Sequence, residues 1–227
     1  MILITGASTG IGKFLFERYL KRGDTVFGTS YPEVLETSQK KFLTKVDILN
    51  AKEVSGWIAS LPKEESKIVL INCAGTNYNA FAHKADLIKW SRVVEVNLIG
   101  TFNVIHAVLP IMREKEYGRI INFSSVVAQI GIPGTSAYAS SKAGLWGLSR
   151  SIAVENAKKG ITINNLNLGY FDIGMIEQVP DEFQKVLKEK IPSGKFGNPD
   201  TVFNTVNFLI ENDYINGTSI DINAGLY

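Results

Sequence analysis

The chain has 227 residues, a formal net charge of +2, 45% hydrophobic residues and 20% charged residues. A chain of this length can bury a large core without disulfides or metal, and we expect one domain over residues 1–227. The balanced charge argues against binding to the phosphate backbone of nucleic acids through a basic face. A single cysteine, Cys73, and two widely spaced histidines predict neither an internal disulfide nor a metal site.

Apolar runs in the sequence are short. None approaches the ~18 residues that a membrane span needs, and the first predicted strand begins next to Met1, which leaves no space for a signal peptide. We therefore expect a cytoplasmic protein with no membrane partner.

The first half of the chain alternates short apolar runs with amphipathic stretches. Residues 2–5 form an apolar run that ends in a glycine-rich turn, and a helical pattern follows with its apolar residues on one face. Further strands are predicted at residues 25–29, 42–46 and 68–72, with a helix at 51–61. The connection between the second and third strands is short and polar, so we expect no full helix there.

The second half continues the alternation. A long helical region is expected over residues 86–112, interrupted or ended near Pro110, and another over residues 136–158, stopped by Gly160. The remaining predicted elements are strands at 119–123, 162–166 and 219–222 and helices at 181–190 and 199–210. The whole pattern predicts an α/β, Rossmann-type doubly wound parallel sheet of about seven strands with helices on both faces. Ligands on such sheets bind at the carboxyl ends of the strands.

The glycine-rich turn, TGASTGIG over residues 5–12, lies directly between the first strand and the first helix. Gly6 permits the tight turn, Gly10 lets the backbone approach a pyrophosphate, and Gly12 lets the helix pack close to the sheet. The N–H groups at the helix start then face the phosphates. The turn therefore predicts dinucleotide contacts from Gly6, Ser8, Thr9, Gly10, Ile11 and Gly12.

The G-x-x-x-G-x-G spacing of this turn resembles that of the classical short-chain dehydrogenase/reductase family, and two more segments extend the resemblance. Residues 72–75 read NCAG where the family carries NNAG, and residues 47–48 read DI where the family uses an Asp at the adenine ring. By itself Asp47 is read equally well as a solvated turn acid. The resemblance implies further cofactor contacts from Asp47, Ile48, Asn72, Ala74 and Gly75.

The end of the second strand bears on the choice of cofactor. An acid there would bind the ribose 2′-hydroxyl of NAD, but Thr29 and Ser30 occupy this place and the next acid is Glu33. The two hydroxyls can accommodate a 2′-phosphate, although the Arg or Lys that family members specific for NADP often carry is missing, since position 9 is Thr. We expect NADP in preference to NAD.

Tyr138 and Lys142 are four positions apart near the start of a predicted helix, so both side chains can reach one site. A nearby ammonium favours the phenolate and lowers the pKa of a Tyr. Alone, such a pair is found on many helix surfaces. Ser125 supports a functional role for this pair. It ends the fifth strand 13 residues before Tyr138, and this spacing resembles that between the catalytic Ser and Tyr of the family. Asn97 matches the family's Asn that holds a water relaying protons to the Lys.

The resemblance implies an NAD(P)-dependent oxidoreductase that transfers a hydride between the cofactor and a carbonyl or secondary alcohol. Tyr138 would exchange the proton, Ser125 would position the oxygen, and Lys142 would tune Tyr138 and bind the nicotinamide ribose. Tyr138 would also contact the cofactor. A redox sensor without chemistry is the alternative, which would be expected to lack Tyr138 or Lys142.

Two positions depart from the family's Pro-Gly-x-x-x-Thr motif. Leu168 replaces the Pro and Ile173 the Thr, which removes a hydroxyl from the nicotinamide site, so that Gly169 and backbone groups near Ile173 would hold the amide. A substrate loop is expected at about residues 170–197, and its small substrate cannot be read from the sequence. An acyl-carrier partner would favour a clear basic patch, whereas residues 113–116 are mixed in sign. We expect a homo-oligomer, a tetramer or dimer, formed through the two long helices.

Overall fold

We analysed a computed structural model, which describes residues 1–32 and 40–227. Seven strands form one parallel sheet in the order β3-β2-β1-β4-β5-β6-β7. The strands are β1 Ile2–Thr5, β2 Val26–Ser30, β3 Leu43–Lys45, β4 Val69–Asn72, β5 Gly118–Ser125, β6 Ile161–Leu168 and β7 Ser219–Ile222. This architecture confirms the predicted doubly wound sheet of about seven strands.

Helices cover both faces of the sheet. They are α1 Gly10–Arg22, α2 Ala51–Ala59, α3 Leu87–Val94, α4 Thr101–Lys115, α5 Val127–Ile130, α6 Ser136–Asn156, α7 Asp181–Lys190 and α8 Pro199–Glu211. Short 3₁₀ turns lie at Lys40–Phe42, Ala82–Lys84, Ala157–Lys159 and Gly174–Gln178, and the π-helical segment Glu95–Gly100 joins α3 to α4. The expectation of no full helix between β2 and β3 falls largely on residues outside the described range.

Alternating strand residues build two cores, one on each face. Leu3, Leu70 and Ile120 pack with the side chains of α2 and α4. Their neighbours Ile4 and Ile71 face the other way and pack with α1 and α8. This period of two follows from the pleat of a strand covered by helices on both faces.

Most predicted boundaries are within two or three residues of the observed ones. The expectation that the first long helix is interrupted or ends near Pro110 is wrong at that residue, because α4 continues through it to Lys115. Pro110 removes a hydrogen bond to the carbonyl of His106, and both residues lie on the exposed side of α4, where water can satisfy that carbonyl. The long helical region is instead irregular earlier in the chain, in the π-helical segment Glu95–Gly100. Gly160 ends the second long helical region with a positive φ of 67°, as predicted.

The helical region Leu87–Lys115 is long and apolar enough to span a membrane, by length and composition. The expectation that no apolar run approaches that length was therefore wrong. Val104, Ile105, Val108 and Met112 on this region are buried in the core against the sheet, so one face of the helix is a core face.

Candidate active site

The glycine turn lies at the carboxyl end of β1, where the strand order reverses between β1 and β4. Gly6 has a positive φ of 64°, and a Cβ on it would come within 2.8 Å of the Ala74 backbone. A Cβ on Gly12 would collide with the Gly6 carbonyl oxygen. The tight turn predicted at Gly6 agrees with this geometry. Gly12 was predicted to let the helix pack close to the sheet, and its nearest neighbours are Gly6 in the turn and Cys73 after β4.

The start of α1 fits a dinucleotide diphosphate. The helix begins at Gly10, and the first N–H groups of a helix have no intrahelical acceptor. Thr9 is exposed and occupies the N-cap position without capping the helix, and Ser8 and Ile11 are partly buried beside it. Gly10 is also approached by Gly174, whose Cα lies 3.0 Å from the position a Gly10 Cβ would take. The loop after β6 thus reaches the phosphate end of the cleft.

The end of β2 presents two hydroxyl side chains that are almost fully buried. Thr29 and Ser30 are each 1% exposed, and within the described part of the chain Ser30 Oγ has no hydrogen-bond partner. The exposed Lys45 of β3 is the register partner of Ser30. This lysine was not identified from the sequence as a candidate cation at the end of β2. Glu33, the next acid along the chain, lies outside the described residues.

Asp47 and Ile48 follow β3, as predicted, and both already have partners. The Asp47 carboxylate accepts from the backbone N–H of Leu49 at 3.0 Å and lies 3.8 Å from the Arg92 guanidinium. Ile48 is buried, and its side chain fills the space that a Cβ on Gly100 would need. Asp47 is nevertheless partly exposed, whereas Ile48 contributes mainly to packing.

Residues 72–75 bring the fourth strand to the centre of the site. Asn72 is buried and donates to Asn122 Oδ1 at 2.8 Å, and the Ala74 N–H donates to Thr5 Oγ1 at 3.2 Å. Gly75 packs closely here, since a Cβ there would lie 3.2 Å from Asn97 Oδ1 and 3.6 Å from Lys142 Nζ. The glycine thus lies where these two functional side chains meet.

Lys142 lies on the buried side of α6 and is only 5% exposed. Its ammonium donates to the Phe123 carbonyl oxygen at 2.7 Å and lies 5.6 Å from the centre of the Tyr138 ring. The i, i+4 spacing on α6 therefore brings the pair together as the sequence predicted.

Ser125 is the last residue of β5, and its hydroxyl accepts from the Val127 N–H at 3.2 Å. The Ser125 and Tyr138 side chains are within hydrogen-bonding reach of each other. Extension of β5 two residues beyond the predicted strand carries Ser125 to this place. Ser125, Tyr138 and Lys142 thus share one site at the carboxyl edge of the sheet.

The pKa of Tyr138 differs from the sequence-based expectation. Burial raises the pKa of Tyr138 to about 12, and the hydrogen bond with Ser125 only partly offsets this effect. The expected lowering of this pKa by the Lys142 ammonium was wrong for this structure, in which the cost of removing the phenolate from water dominates. Burial also lowers the pKa of Lys142 to about 8.

Asn97 is fully buried in the π-helical segment, and it uses its whole side chain. Its Oδ1 accepts from the Thr76 N–H at 2.8 Å, while Nδ2 donates to the Thr76 carbonyl at 2.9 Å and to Ser141 Oγ at 3.0 Å. Sequence reasoning missed Ser141, although it adjoins Lys142. The predicted water relay is not tested by this geometry, in which the side chain joins the loop after β4 to α6.

The loop after β6 contains the two departures from the family motif. Gly169 packs closely against the residue that follows β7, since a Cβ would lie 2.8 Å from the Asn223 Cα. Ile173 is extended and partly buried, next to Gly174 at the phosphate end. Tyr170 lies close enough to Tyr138 to raise the pKa of Tyr138, and the centre of its tilted ring lies 6.5 Å from that of Phe196. The loop therefore spans both the cofactor end and the chemical end of the cleft.

A parallel sheet with a glycine turn at its switch point defines a dinucleotide-binding protein, and comparison with known proteins narrows the class. Residues 1–183 match the family model described as short chain dehydrogenase. The chain is 32% identical to 3-oxoacyl-(acyl-carrier-protein) reductases of Vibrio cholerae and Staphylococcus aureus and 30% identical to that of Escherichia coli. These alignments cover 99% of the chain and 96%, 97% and 96% of the respective relatives. The chain therefore belongs to the short-chain dehydrogenase/reductase family and is an NAD(P)-dependent oxidoreductase.

Proposed function

We propose that the chain interconverts a ketone and a secondary alcohol of a small molecule, with Tyr138 exchanging the proton on the substrate oxygen. The nicotinamide cofactor supplies the hydride when bound. Ser125 holds the substrate oxygen beside the Tyr138 hydroxyl, and Lys142 binds the ribose of the cofactor. Asn97 fixes the turn of α6 that bears both residues. The meeting of Ser125, Tyr138 and Lys142 in one cleft carries this proposal.

The Tyr138 hydroxyl keeps its proton at neutral pH because its pKa is raised. With a pKa of about 12, Tyr138 is protonated throughout the neutral range, which suits a proton donor and therefore reduction. The reverse reaction needs the phenolate and should accelerate as the pH rises. The rate of alcohol oxidation should therefore rise more steeply with pH than the rate of carbonyl reduction.

NADP is the proposed cofactor, in preference to NAD. Three features at the ends of β2 and β3 support it: the hydroxyls of Thr29 and Ser30, and the exposed Lys45, which is the register partner of Ser30. Hydroxyls and an ammonium are the donors that bind a phosphate, whereas an acid at this place would repel it.

For the substrate we propose a free small ketone in preference to an acyl chain on a carrier protein, which is what the relatives' names describe. An acidic carrier would favour a clear basic patch, whereas residues 113–116 are mixed in sign. Glu116 accepts from the Lys159 ammonium at 3.0 Å, and Arg113 donates to Asn156 Oδ1 at 2.6 Å. The aromatic pair of Tyr170 and Phe196 gives the substrate end of the cleft an apolar wall.

We also propose a single domain over residues 1–227, a cytoplasmic location and a homotetramer. Apolar side chains on the two long helical regions support the assembly, because they are exposed on the single chain. They are Leu87, Ile88, Ile99, Phe102 and Val154. Light scattering should give the mass of four chains, and a monomer would refute this part.

A panel of carbonyl compounds tests the proposed function. We expect oxidation of NADPH with at least one small ketone, and a far lower rate with the same acyl group on a carrier protein. Tyr138→Phe is the matched control, because it keeps the ring and removes the hydroxyl. Cofactor binding without turnover of any carbonyl or alcohol would favour a redox sensor, and full turnover by the variant would overturn the mechanism.

A further inference from the structure

A chain of side-chain hydrogen bonds lies behind the catalytic residues, on the side of β6 and β7. Asp221 Oδ1 accepts from Asn167 Nδ2 at 2.7 Å and from Gln129 Nε2 at 2.9 Å. Asn167 Oδ1 in turn accepts from the Trp146 indole N–H at 3.0 Å. We call Ser124, Gln129, Trp146, Asn167 and Asp221 the Asp221 network.

One arm of the Asp221 network ends on the main chain of Lys142. The Trp146 indole N–H also reaches Ser124 Oγ at 3.0 Å, and Ser124 Oγ donates to the Lys142 carbonyl oxygen at 3.0 Å. Trp146 follows Lys142 by one helical turn, so both bonds act on the same turn of α6. This arm ties that turn to β5 and β6.

The other arm ends beside Ser125. Gln129 lies in α5, which begins two residues after Ser125, and the Val127 N–H of the same helix donates to Ser125 Oγ. The bond from Gln129 to Asp221 therefore fixes the short helix that orients the Ser125 hydroxyl. The exposed Asp221 thus connects the hydrogen bonds that position Ser125 with those that position the Lys142 turn. Both residues serve the reaction at one substrate oxygen.

Strand pairing alone does not require the Asp221 network. Asn167 and Asp221 are already register partners in the backbone ladder between β6 and β7, so their side chains are free to serve another purpose. We propose that Asp221 and Asn167 are positioning residues that hold the Lys142 turn at a fixed distance from Ser125. This inference rests on the proposed function of the same site.

The kinetic test compares Asp221→Leu with Asp221→Asn. The leucine removes the acceptor, and kcat should fall about tenfold with little change in the KM for NADPH, as expected from the loss of ~1.4 kcal/mol of positioning. The asparagine keeps Oδ1 as an acceptor and should restore most of kcat. Asp213→Leu, at an exposed position in the loop before β7, is the matched control and should match the wild type.

Trp146→Phe removes the indole N–H that donates to Ser124 and Asn167 and keeps an aromatic ring at this position. It replaces Asp221→Leu in the test if that variant does not fold. An unchanged kcat in a folded Asp221→Leu or Trp146→Phe protein would overturn the inference. A lower thermal stability with unchanged kcat would do the same, because it would show a purely structural role.

A readout without substrate separates this inference from the proposed function. Lysine ¹³Cε NMR should show Lys142 titrating near 8 in the wild type and moving toward the ordinary lysine value in Asp221→Leu, because a loosened turn admits water. An unchanged titration would overturn the inference even if no carbonyl compound were turned over. Failure of the wild type to turn over any carbonyl, with a shifted titration, would reject the proposed function alone.

Discussion

The Asn97 side-chain amide donates to the Ser141 hydroxyl at 3.0 Å, although the two residues are 44 positions apart. Ser141 Oγ donates in turn to the Tyr138 carbonyl oxygen at 2.7 Å. The same Asn97 side chain holds both the N–H and the carbonyl of Thr76. One buried amide thus joins the loop after β4 to the turn of α6 that bears the catalytic pair.

Replacing Asn97 by alanine should lower the free energy of unfolding by about 3 kcal/mol, because two buried backbone groups of Thr76 lose their partner. Ser141→Ala removes only one acceptor of the amide and should cost about 1 kcal/mol. Urea unfolding of the two variants measures both values. Equal losses would show that the bonds to Thr76 contribute little.

Lys142→Met should abolish turnover and yet stabilise the fold at pH 7. Burial lowers the pKa of Lys142 to about 8 from 10.5, so below pH 8 the folded chain carries a penalty of about 3 kcal/mol for keeping this proton. Methionine avoids the penalty but loses the hydrogen bond to Phe123, which leaves a net gain of about 2 kcal/mol.

The pH dependence of the free energy of unfolding tests whether the gain in Lys142→Met comes from removing the buried ammonium. Between pH 8 and 10.5 the unfolded chain binds more protons at Lys142 than the folded chain, so wild-type stability rises with pH and the advantage of Lys142→Met shrinks. Urea unfolding at pH 7 and pH 10 measures this change. Lys158→Met, at an exposed position, should show no such advantage, and a gap independent of pH would contradict the explanation.

The fold was largely predictable because apolar runs and glycine turns are local signals. Alternating patterns placed the seven strands, and Gly6 and Gly12 marked the turn at the end of β1. The pKa of Tyr138 was not predictable, because it depends on burial by segments distant in sequence. Ser141 and Lys45 were missed for the same reason: their importance comes from a hydrogen bond to Asn97 and a register with Ser30, and neither leaves a local pattern.

Lys45→Glu should weaken NADPH binding about tenfold and leave NADH binding nearly unchanged, if Lys45 contributes a charge-assisted bond to the 2′-phosphate. Fluorescence titration of the pure protein with each cofactor gives both dissociation constants. Lys52→Glu on α2 makes the same charge change at another exposed position and should alter the ratio little. Tighter binding of NADH than of NADPH by the wild type would reject the preference for NADP.

Ile173→Thr should tighten cofactor binding about threefold to tenfold, because it restores a hydroxyl worth about 0.5–1.5 kcal/mol as a hydrogen-bond donor. Ile173→Val shortens the side chain without adding a hydroxyl and is the steric control. Calorimetric titration with NADPH compares the two. Equal affinities for both variants would place residue 173 away from the bound cofactor.

Transfer of deuterium tests the central claim most directly. Incubation of the wild type with NADPH that carries deuterium at both C4 positions and a ketone from the panel should place deuterium on the carbinol carbon, as mass spectrometry of the alcohol would show. Tyr138→Phe should bind NADPH with wild-type affinity and form the labelled alcohol about 10²–10⁴-fold more slowly, since it lacks the proton donor. Labelled alcohol formed at the wild-type rate by the variant would contradict the account.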